Sequence, residues 1–352
     1  MTDAEDNAPL LEVNDLGVTF KADEGTVRAV DGVSFNVNRR QIVGLIGESG
    51  CGKSVTAQAI MRIVPSPGRI TGGSILFRAD GESPRDLAAL RANGRKMRRV
   101  RGGKICMIFQ EPMTAFSPVH TIGNQIVEAI RLHRKVSPAE AAQLAVSMLE
   151  RVGIPQAADR FDAYSFQLSG GMRQRAMIAM ALSTGPSLVI ADEPTTALDV
   201  TIQAQILDLL RHLRDELAMA ILLITHDLGV VAEMCEVVHV MYMGRIVESG
   251  PVQRIFRNPM HPYTQALLQS IPRLSGPVPD RLAVIQGSVP DPFARLPGCA
   301  FHPRCDRVIG GACDTGDPPP LEQRDRDQCV ACHLYREPSA AAFGPPSSQG
   351  SQ

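Results

Sequence analysis

The octapeptide GESGCGKS, from Gly47 to Ser54, has the glycine, lysine and serine spacing of a loop that binds phosphate groups. It follows the apolar run QIVGLI and precedes SVTAQAIMRIV, which gives the strand, loop and helix order that such a loop requires. Backbone N–H groups and the helix N-terminus would face the phosphates, Lys53 would reach the outer phosphates, and the Ser54 hydroxyl would ligate Mg²⁺. We therefore predict a nucleotide-phosphate site that comprises Gly47, Glu48, Ser49, Gly50, Cys51, Gly52, Lys53, Ser54 and Val55.

Two acidic residues, Asp192 and Glu193, end the apolar run SLVIADE. An aspartate that emerges from a buried strand can hold Mg²⁺, and the adjacent glutamate can orient or deprotonate the attacking water. Phosphoryl transfer requires mainly positioning and charge stabilisation from the protein, so these few groups could suffice.

A second anion site is predicted at LSGGMRQR, where Ser169 precedes the helix-like run GMRQRAMIAMALS. The Ser169 hydroxyl would cap the helix, and the amides of Gly170 and Gly171 would add to its positive end. Two anion sites on one chain make sense if the second closes on the nucleotide of another subunit.

With these segments in this order, the chain resembles the nucleotide-binding subunit of an ATP-binding-cassette (ABC) transporter. The resemblance extends to Gln110 in IFQEP, which matches the Q-loop, to Ala197–Leu198–Asp199, which matches the D-loop, and to His226 in LLITHD, which matches the switch histidine. It implies that Gln110 senses the γ-phosphate and contributes to the Mg²⁺ site with Ser54 and Asp192.

The resemblance also assigns catalytic roles and a place for the adenine ring. It implies that Glu193 is the catalytic base and that His226 steadies the γ-phosphate and the attacking water, so the site is expected to be competent for hydrolysis. Phe20 in LGVTF matches, by position alone, the aromatic residue that stacks on adenine, and a core phenylalanine is an equal alternative.

Continuous apolar runs supply the elements that must position these residues. QIVGLI, KICMIFQ, SLVIADE and AILLITHD suit strands that are buried on both faces of a parallel sheet. The segment SPAEAAQLAVSMLERVG predicts a helix with Ser137 as its cap, Pro138 in its first turn and Gly153 at its end. We predict an α/β P-loop core over 8–255 with a helical signature subdomain over 111–183, a cysteine-containing extension over 256–336 and a disordered tail over 337–352.

Composition and charge narrow the class of partner. The formal net charge of −1 argues for neither a nucleic-acid binder nor a polybasic membrane-surface protein, and no nucleic-acid partner is expected. The basic stretch RANGRKMRRVRGGK, 91–104, lacks aromatic residues and is predicted to be a solvated helix and turn, with contact to acidic groups of a membrane partner as an alternative. The acidic N-terminus does not resemble a signal peptide, and no apolar run approaches the ~20 residues of a membrane span. The chain is expected at the cytoplasmic face of the membrane, held there by partners.

Five cysteines near the C-terminus could bind a metal: Cys299, Cys305, Cys313, Cys329 and Cys332. Their spacing alone leaves open a zinc site, a [4Fe–4S] cluster or buried thiols without metal, and it allows Cys329 to replace Cys332. GCAFHPRC and NPMHPYTQALLQSIP resemble the C-terminal extension of oligopeptide and dipeptide importer ATPases. That resemblance implies a structural or regulatory [4Fe–4S] cluster held by Cys299, Cys305, Cys313 and Cys332. Gln328 departs from this group, which usually has a histidine at that position.

The same resemblance implies a transport complex. GKSVTAQAIMR and SGGMRQR are similar to the first of the two ATPases in such importers. The expected partners are a second ABC ATPase that forms a heterodimer, two permeases and an extracytoplasmic solute-binding protein. Di- and oligopeptides are the expected solutes, with a nickel, glutathione or other non-peptide importer, or a non-transport ABC ATPase, as the alternatives.

Overall fold

The computed structural model describes residues 8–79, 82–111, 115–196, 198–270 and 285–335. Its strands are β1 Leu11–Ala22, β2 Gly25–Val37, β3 Ile42–Ile46, β4 Gly68–Phe77, β5 Arg85–Asp86, β6 Ile105–Ile108, β7 Leu188–Asp192, β8 Ala220–Ile224, β9 Val237–Tyr242, β10 Arg245–Pro251, β11 Glu322–Gln323 and β12 Cys329–Val330. Its α-helices are α1 Lys53–Ile60, α2 Arg95–Val100, α3 Ile122–His133, α4 Pro138–Arg151, α5 Ala157–Phe161, α6 Gly170–Leu182, α7 Val200–Leu217, α8 Leu228–Met234, α9 Val252–Arg257 and α10 Pro262–Gln269.

The main sheet has eight strands in the order β11-β12-β10-β9-β3-β8-β7-β6. The five strands from β9 to β6 are parallel, and four of them are the strands expected from the apolar runs. Val43 and Leu45 face one buried cluster, whereas Ile42 and Ile46 face the other. The prediction of strands buried on both faces is therefore confirmed, and their carboxyl ends meet at one edge of the sheet.

A second, antiparallel sheet has the order β2-β1-β4-β5 and encloses one of the two buried clusters with the main sheet. Helices α3 to α7 contribute to the other cluster. The predicted caps are confirmed: Ser137 accepts from the Glu140 amide at 3.2 Å, and Ser169 accepts from the Met172 amide at 3.3 Å. The helices α3 to α6 lie within the range expected for the helical subdomain.

The basic stretch forms α2 and the turn after it. Met97 and Val100 are buried, whereas Arg98 and Arg99 are exposed, as expected of a solvated helix and turn. Together with Arg131 and other basic residues at the end of α3, the exposed side chains line an open cleft.

Residues of the predicted C-terminal extension pair with the main sheet at β10. Strand β12 pairs with β10, and the Glu248 side chain at that pairing is fully buried. Its carboxylate accepts from the amides of Met260 and His261 at 2.7 and 2.9 Å and from Gln328 Nε2 at 2.8 Å. Gln328 Nε2 also donates to the Asn258 carbonyl at 3.1 Å, so Gln328 links the segment before β12 to β10 and to the segment that follows α9.

No helix in the described part of the chain is long and apolar enough to cross a membrane. The tail over 337–352 lies outside the described residues.

The turn between β3 and α1 packs closely against other backbone. Gly52 has a φ of 106°, and a Cβ atom there would lie 2.1 Å from the Ala29 carbonyl oxygen of β2. Gly50, in the same turn, has a φ of 79°, but a Cβ atom would meet no atom within 4 Å. The two glycines are therefore required for different reasons.

We expect Gly52→Ala to destabilise the protein by about 3 kcal/mol or more, because it adds a backbone clash to a strained conformation. Gly50→Ala should cost only the ~1–2 kcal/mol of a left-handed alanine. Urea unfolding measures the free energy of unfolding of both variants. Equal losses of stability would show that β2 can move away from the added methyl group at no cost in free energy.

Candidate functional site

The candidate site lies where the carboxyl ends of β3, β6, β7 and β8 meet. Glu193 follows β7, and both of its carboxylate oxygens are bonded by side chains that follow neighbouring strands. Gln110 Nε2 donates to Glu193 Oε2 at 2.9 Å, and His226 Nδ1 lies 3.1 Å from Glu193 Oε1. Three residues that lie far apart in the sequence are thus brought into direct contact.

The backbone at Glu193 is held in an unusual conformation. Its φ is 47°, and its amide donates to the carbonyl of Ile224 in β8 at 2.8 Å. Thr196 Oγ1 also donates to Glu193 Oε2 at 2.8 Å, a contact that the sequence analysis missed. Gln174 of α6 was missed as well, and its buried amide donates to the Pro194 carbonyl. This contact links the helix capped by Ser169 to the segment that follows Glu193.

The two adjacent carboxyl groups have opposite pKa shifts. Burial raises the pKa of Asp192, and the hydrogen bond from Ser54 opposes that effect only in part. Burial also acts to raise the pKa of Glu193, but the hydrogen bonds from His226 and Thr196 outweigh it and lower that pKa below its ordinary value. Glu193 is therefore a carboxylate at neutral pH and can accept a proton.

The loop between β3 and α1 holds a buried ammonium group. Lys53 Nζ donates to the carbonyls of Gly47 and Glu48 at 2.7 and 2.9 Å. Ser54 Oγ lies 3.1 Å from Asp192 Oδ1, so a hydroxyl and a carboxylate oxygen are adjacent. These are oxygen ligands of the kind that Mg²⁺ prefers. Gln110, the third residue expected there, makes its hydrogen bond to Glu193 instead.

The predicted phosphate loop also includes Ser49, Gly50 and Cys51, which differ in exposure. Ser49 and Gly50 are exposed, and Cys51 is buried behind the loop. Burial raises the pKa of the Cys51 thiol, so this cysteine packs as a neutral side chain.

The segment Ser169–Gly171 lies at the start of α6, which Ser169 caps. Ser169 and Gly170 are exposed, and within the described residues no hydrogen bond joins the segment to residues 47–54. Asp199 is exposed and caps α7 by accepting from the Ile202 amide at 3.0 Å, whereas Ala197 lies outside the described residues. Phe20 is half-buried on β1 and packs against the core. Its ring lies over Gly68 of β4, where a Cβ atom would come within 2.5 Å of the ring. The adenine-stacking role of Phe20 stays a prediction.

The predicted metal-binding cysteines line one small cavity. Cys299, Cys305, Cys313 and Cys332 are among its lining residues, whereas Cys329 is not. The amide of Arg307 donates to Cys305 Sγ and that of Ile309 to Cys313 Sγ, each at 3.4 Å. Among the residues that the structure describes, no group of three or more His, Cys, Asp or Glu is arranged so that it could hold a metal ion. The four thiols therefore share a cavity without forming a ready single-ion site.

Two family models match the chain in sequence. The model described as ABC transporter matches residues 30–196, and the one described as oligopeptide/dipeptide transporter, C-terminal region, matches residues 247–313. The first match contains the loop at 47–54, Gln110, Ser169 and Glu193. The second begins next to Glu248 and ends at Cys313.

Curated relatives cover most of the chain. A putative peptide import ATP-binding protein of Brucella abortus is 49% identical over 87% of this chain and 90% of its own length. Another of Brucella melitensis is 52% identical over 94% of this chain and 99% of its own length.

Solved structures share the fold. A dimeric ATP-binding cassette in a post-hydrolysis state with ADP and Pi has a TM-score of 0.60 and 24% identity, covering 69% of this chain and 98% of that one. The cbiO1 subunit of a Clostridium perfringens ABC transporter complex has a TM-score of 0.59 and 27% identity, covering 71% and 91%. The curated relatives and the two family matches show that the chain belongs to the ABC transporter ATPases and carries the C-terminal region of the oligopeptide/dipeptide group.

Proposed function

We propose that this chain hydrolyses ATP to energise the import of di- or oligopeptides across the cytoplasmic membrane through partner permeases. The observation that carries the ATPase role is the convergence of Gln110 and His226 on the two oxygens of Glu193. The peptide solute is supported by the putative peptide import ATP-binding proteins among the relatives and by the match over residues 247–313.

In this proposal Glu193 accepts the proton of the attacking water. Its lowered pKa keeps it ionised, and His226 would orient the water and the γ-phosphate. Lys53 and the loop amides would bind the phosphates of ATP, and Phe20 would stack on the adenine. Ser54, Asp192 and Gln110 would hold Mg²⁺, which neutralises charge on the phosphates when it is bound.

Exposure of the Ser169–Gly171 segment supports a two-subunit site. Because the segment is not bonded to the phosphate loop of its own chain, we propose that it closes on ATP held by a second ABC ATPase, with Asp199 at the same interface. A heterodimer with this chain as the first ATPase, two permeases and an extracytoplasmic solute-binding protein completes the complex. The chain would then lie peripherally at the cytoplasmic face, with an ATPase domain over 8–255 and an extension over 256–336.

We further propose a [4Fe–4S] cluster on Cys299, Cys305, Cys313 and Cys332, with zinc as the alternative. The shared cavity and the amides that donate to two sulfurs support a four-thiolate site. A zinc ion would need four sulfurs within about 2.3 Å of one point, and no described group has such an arrangement. The resemblance of GCAFHPRC to the extension of oligopeptide importer ATPases is the reason for preferring the cluster to zinc. Its role would be to order the extension.

Glu193→Gln should retain MgATP binding and lower kcat by about 10²–10⁴-fold, because the amide cannot accept the proton. Steady-state ATP hydrolysis and equilibrium binding of a fluorescent ATP analogue measure the two effects. Glu233→Gln, which removes an exposed ion pair with Arg211, is the matched control and should keep the kcat and the MgATP affinity of the parent protein. Undiminished hydrolysis by Glu193→Gln would remove Glu193 from the role of base.

Because a [4Fe–4S] cluster is proposed, anaerobically purified protein should contain about four iron atoms and four acid-labile sulfides per chain. Cys313→Ser should lose most of both, whereas Cys329→Ser should retain them, because Cys329 does not line the cavity. Elemental analysis measures the metal content of each variant, and visible absorption detects the cluster. Stoichiometric zinc, or iron lost equally from both variants, would contradict the assignment.

Affinity purification of the tagged chain from gently solubilised membranes should recover two polytopic permeases and a second cassette ATPase. Mass spectrometry identifies them, and peptide-stimulated ATP hydrolysis by the reconstituted complex, with its solute-binding protein, tests the solute. Recovery of ribosomal or DNA-repair proteins without a membrane subunit would refute transport and leave the ATPase role in place.

A further inference from the structure

Glu48, the second residue of the phosphate loop, is bonded by an arginine of the C-terminal extension. Arg304 Nη1 donates to Glu48 Oε2 at 2.7 Å, and Arg304 Nη2 donates to Glu48 Oε1 at 3.0 Å. The Arg304 side chain is only 4% exposed. Such two-pronged pairs are stronger and more directional than ordinary ion pairs, particularly when they are shielded from water.

The main chain of Glu48 is also bonded by a residue of the C-terminal extension. The Glu48 amide donates to Tyr263 Oη at 2.8 Å, and Tyr263 of α10 is fully buried. Both the main chain and the side chain of Glu48 are therefore held by residues more than two hundred positions later in the sequence. We call Arg304 and Tyr263 together the Glu48 clamp.

An aromatic cluster keeps the clamp in place. The ring of Tyr242, at the end of β9, lies 4.6 Å from that of Tyr263 and 5.3 Å from that of Phe301. The Arg304 guanidinium lies 5.9 Å from the rings of both Tyr242 and Phe301, within reach of a cation–π attraction. The clamp residues thus have little freedom to take other rotamers.

The clamp is continuous with the cysteine cavity. Arg304 ends the short 3₁₀ turn His302–Arg304 and directly precedes Cys305, while the Cys299 carbonyl is bonded to His302 Nδ1 at 2.8 Å. A displacement of this turn would move Arg304 away from Glu48. The cysteine-bearing segment, although distant in sequence, therefore contacts the nucleotide loop directly.

We propose that Arg304 and Tyr263 are positioning residues for ATP binding and that they couple the C-terminal extension to the phosphate loop. This inference rests on the proposed ATPase function. Lys53 Nζ donates to the Glu48 carbonyl, so a shift of Glu48 displaces the lysine that reaches the phosphates. Arg304 also offsets the negative charge of Glu48, which would otherwise repel the phosphates of ATP. The clamp therefore presents a loop that is already shaped and neutralised for its anionic ligand.

The test measures MgATP binding and hydrolysis by full-length variants. Arg304→Gln should weaken ATP binding about tenfold, raise KM by a similar factor and change kcat by less than about threefold. Arg304→Lys should lie between this variant and the parent, because lysine retains the charge but not the fork. Hydrogen exchange of the peptide that contains residues 47–54 should increase in Arg304→Gln.

Two comparisons separate positioning from general destabilisation. Arg254→Gln removes an ion pair between α9 and Asp325 of the same extension, away from the phosphate loop, and should leave ATP binding at the parental value. In a Glu48→Gln background, Arg304→Gln should weaken ATP binding much less, because the negative charge that Arg304 offsets is already absent. If Arg304→Gln does not fold, Tyr263→Phe retains the ring packing, lacks only the hydroxyl, and should still weaken ATP binding.

Parental affinity and loop exchange in a folded Arg304→Gln variant would overturn the inference while leaving the ATPase function in place. An equal loss of ATP binding in Arg254→Gln would also overturn it. A parent protein that binds no MgATP would overturn the proposed function and this inference together.

Discussion

The hydrogen bonds from Gln110 and His226 to Glu193 set the geometry on which the rest of the site depends. They require β6, β7 and β8 to end in register, and the pairs Ile108↔Ala191 and Asp192↔Ile224 provide that register. A slip of one residue in β7 would turn its side chains to the opposite face of the sheet. The buried runs that lock these strands together therefore have a chemical consequence, since they bring three distant side chains to one carboxylate.

Neighbouring carboxyl groups at this edge are suited to different tasks. Asp192 lies deeper, and because burial raises its pKa, a bound cation would strongly favour its ionised form. Glu193 is already ionised, since hydrogen bonds lower its pKa against the effect of burial. Pairs of groups whose surroundings separate their pKa values are a common arrangement in acid and base chemistry. Here the difference arises from the hydrogen bonds that Glu193, at a positive φ, receives from His226 and Thr196.

Local signals made much of this arrangement predictable. Continuous apolar runs identified four strands of the parallel sheet, and serine caps at Ser137 and Ser169 identified helix starts, because those features depend on residues a few positions apart. The contacts of Thr196 with Glu193, of Gln174 with Pro194 and of Gln328 with Glu248 were not predicted. Thr196 could have been noticed from its position three residues after Glu193. The other two pairs are separated in sequence and meet only through the packing of whole elements, so their residue types carry no local signal.

The described part of the extension has few helices and strands, and it is fixed against the core by buried aromatic rings together with a few long-range polar contacts. The Glu248 carboxylate of β10 accepts three hydrogen bonds, and Arg304 donates to the Glu48 carboxylate at the phosphate loop. Separation of the extension would break these hydrogen bonds, and a carboxylate that lost its donors while still shielded from water would be strongly destabilised. If the extension favours the loop shape that binds ATP, then ATP must in turn favour the docked extension by the same free energy, because coupling between two equilibria is reciprocal. On that proposal, the order of the cysteine-bearing segment and the shape of the phosphate loop are coupled through the contact of Arg304 with Glu48.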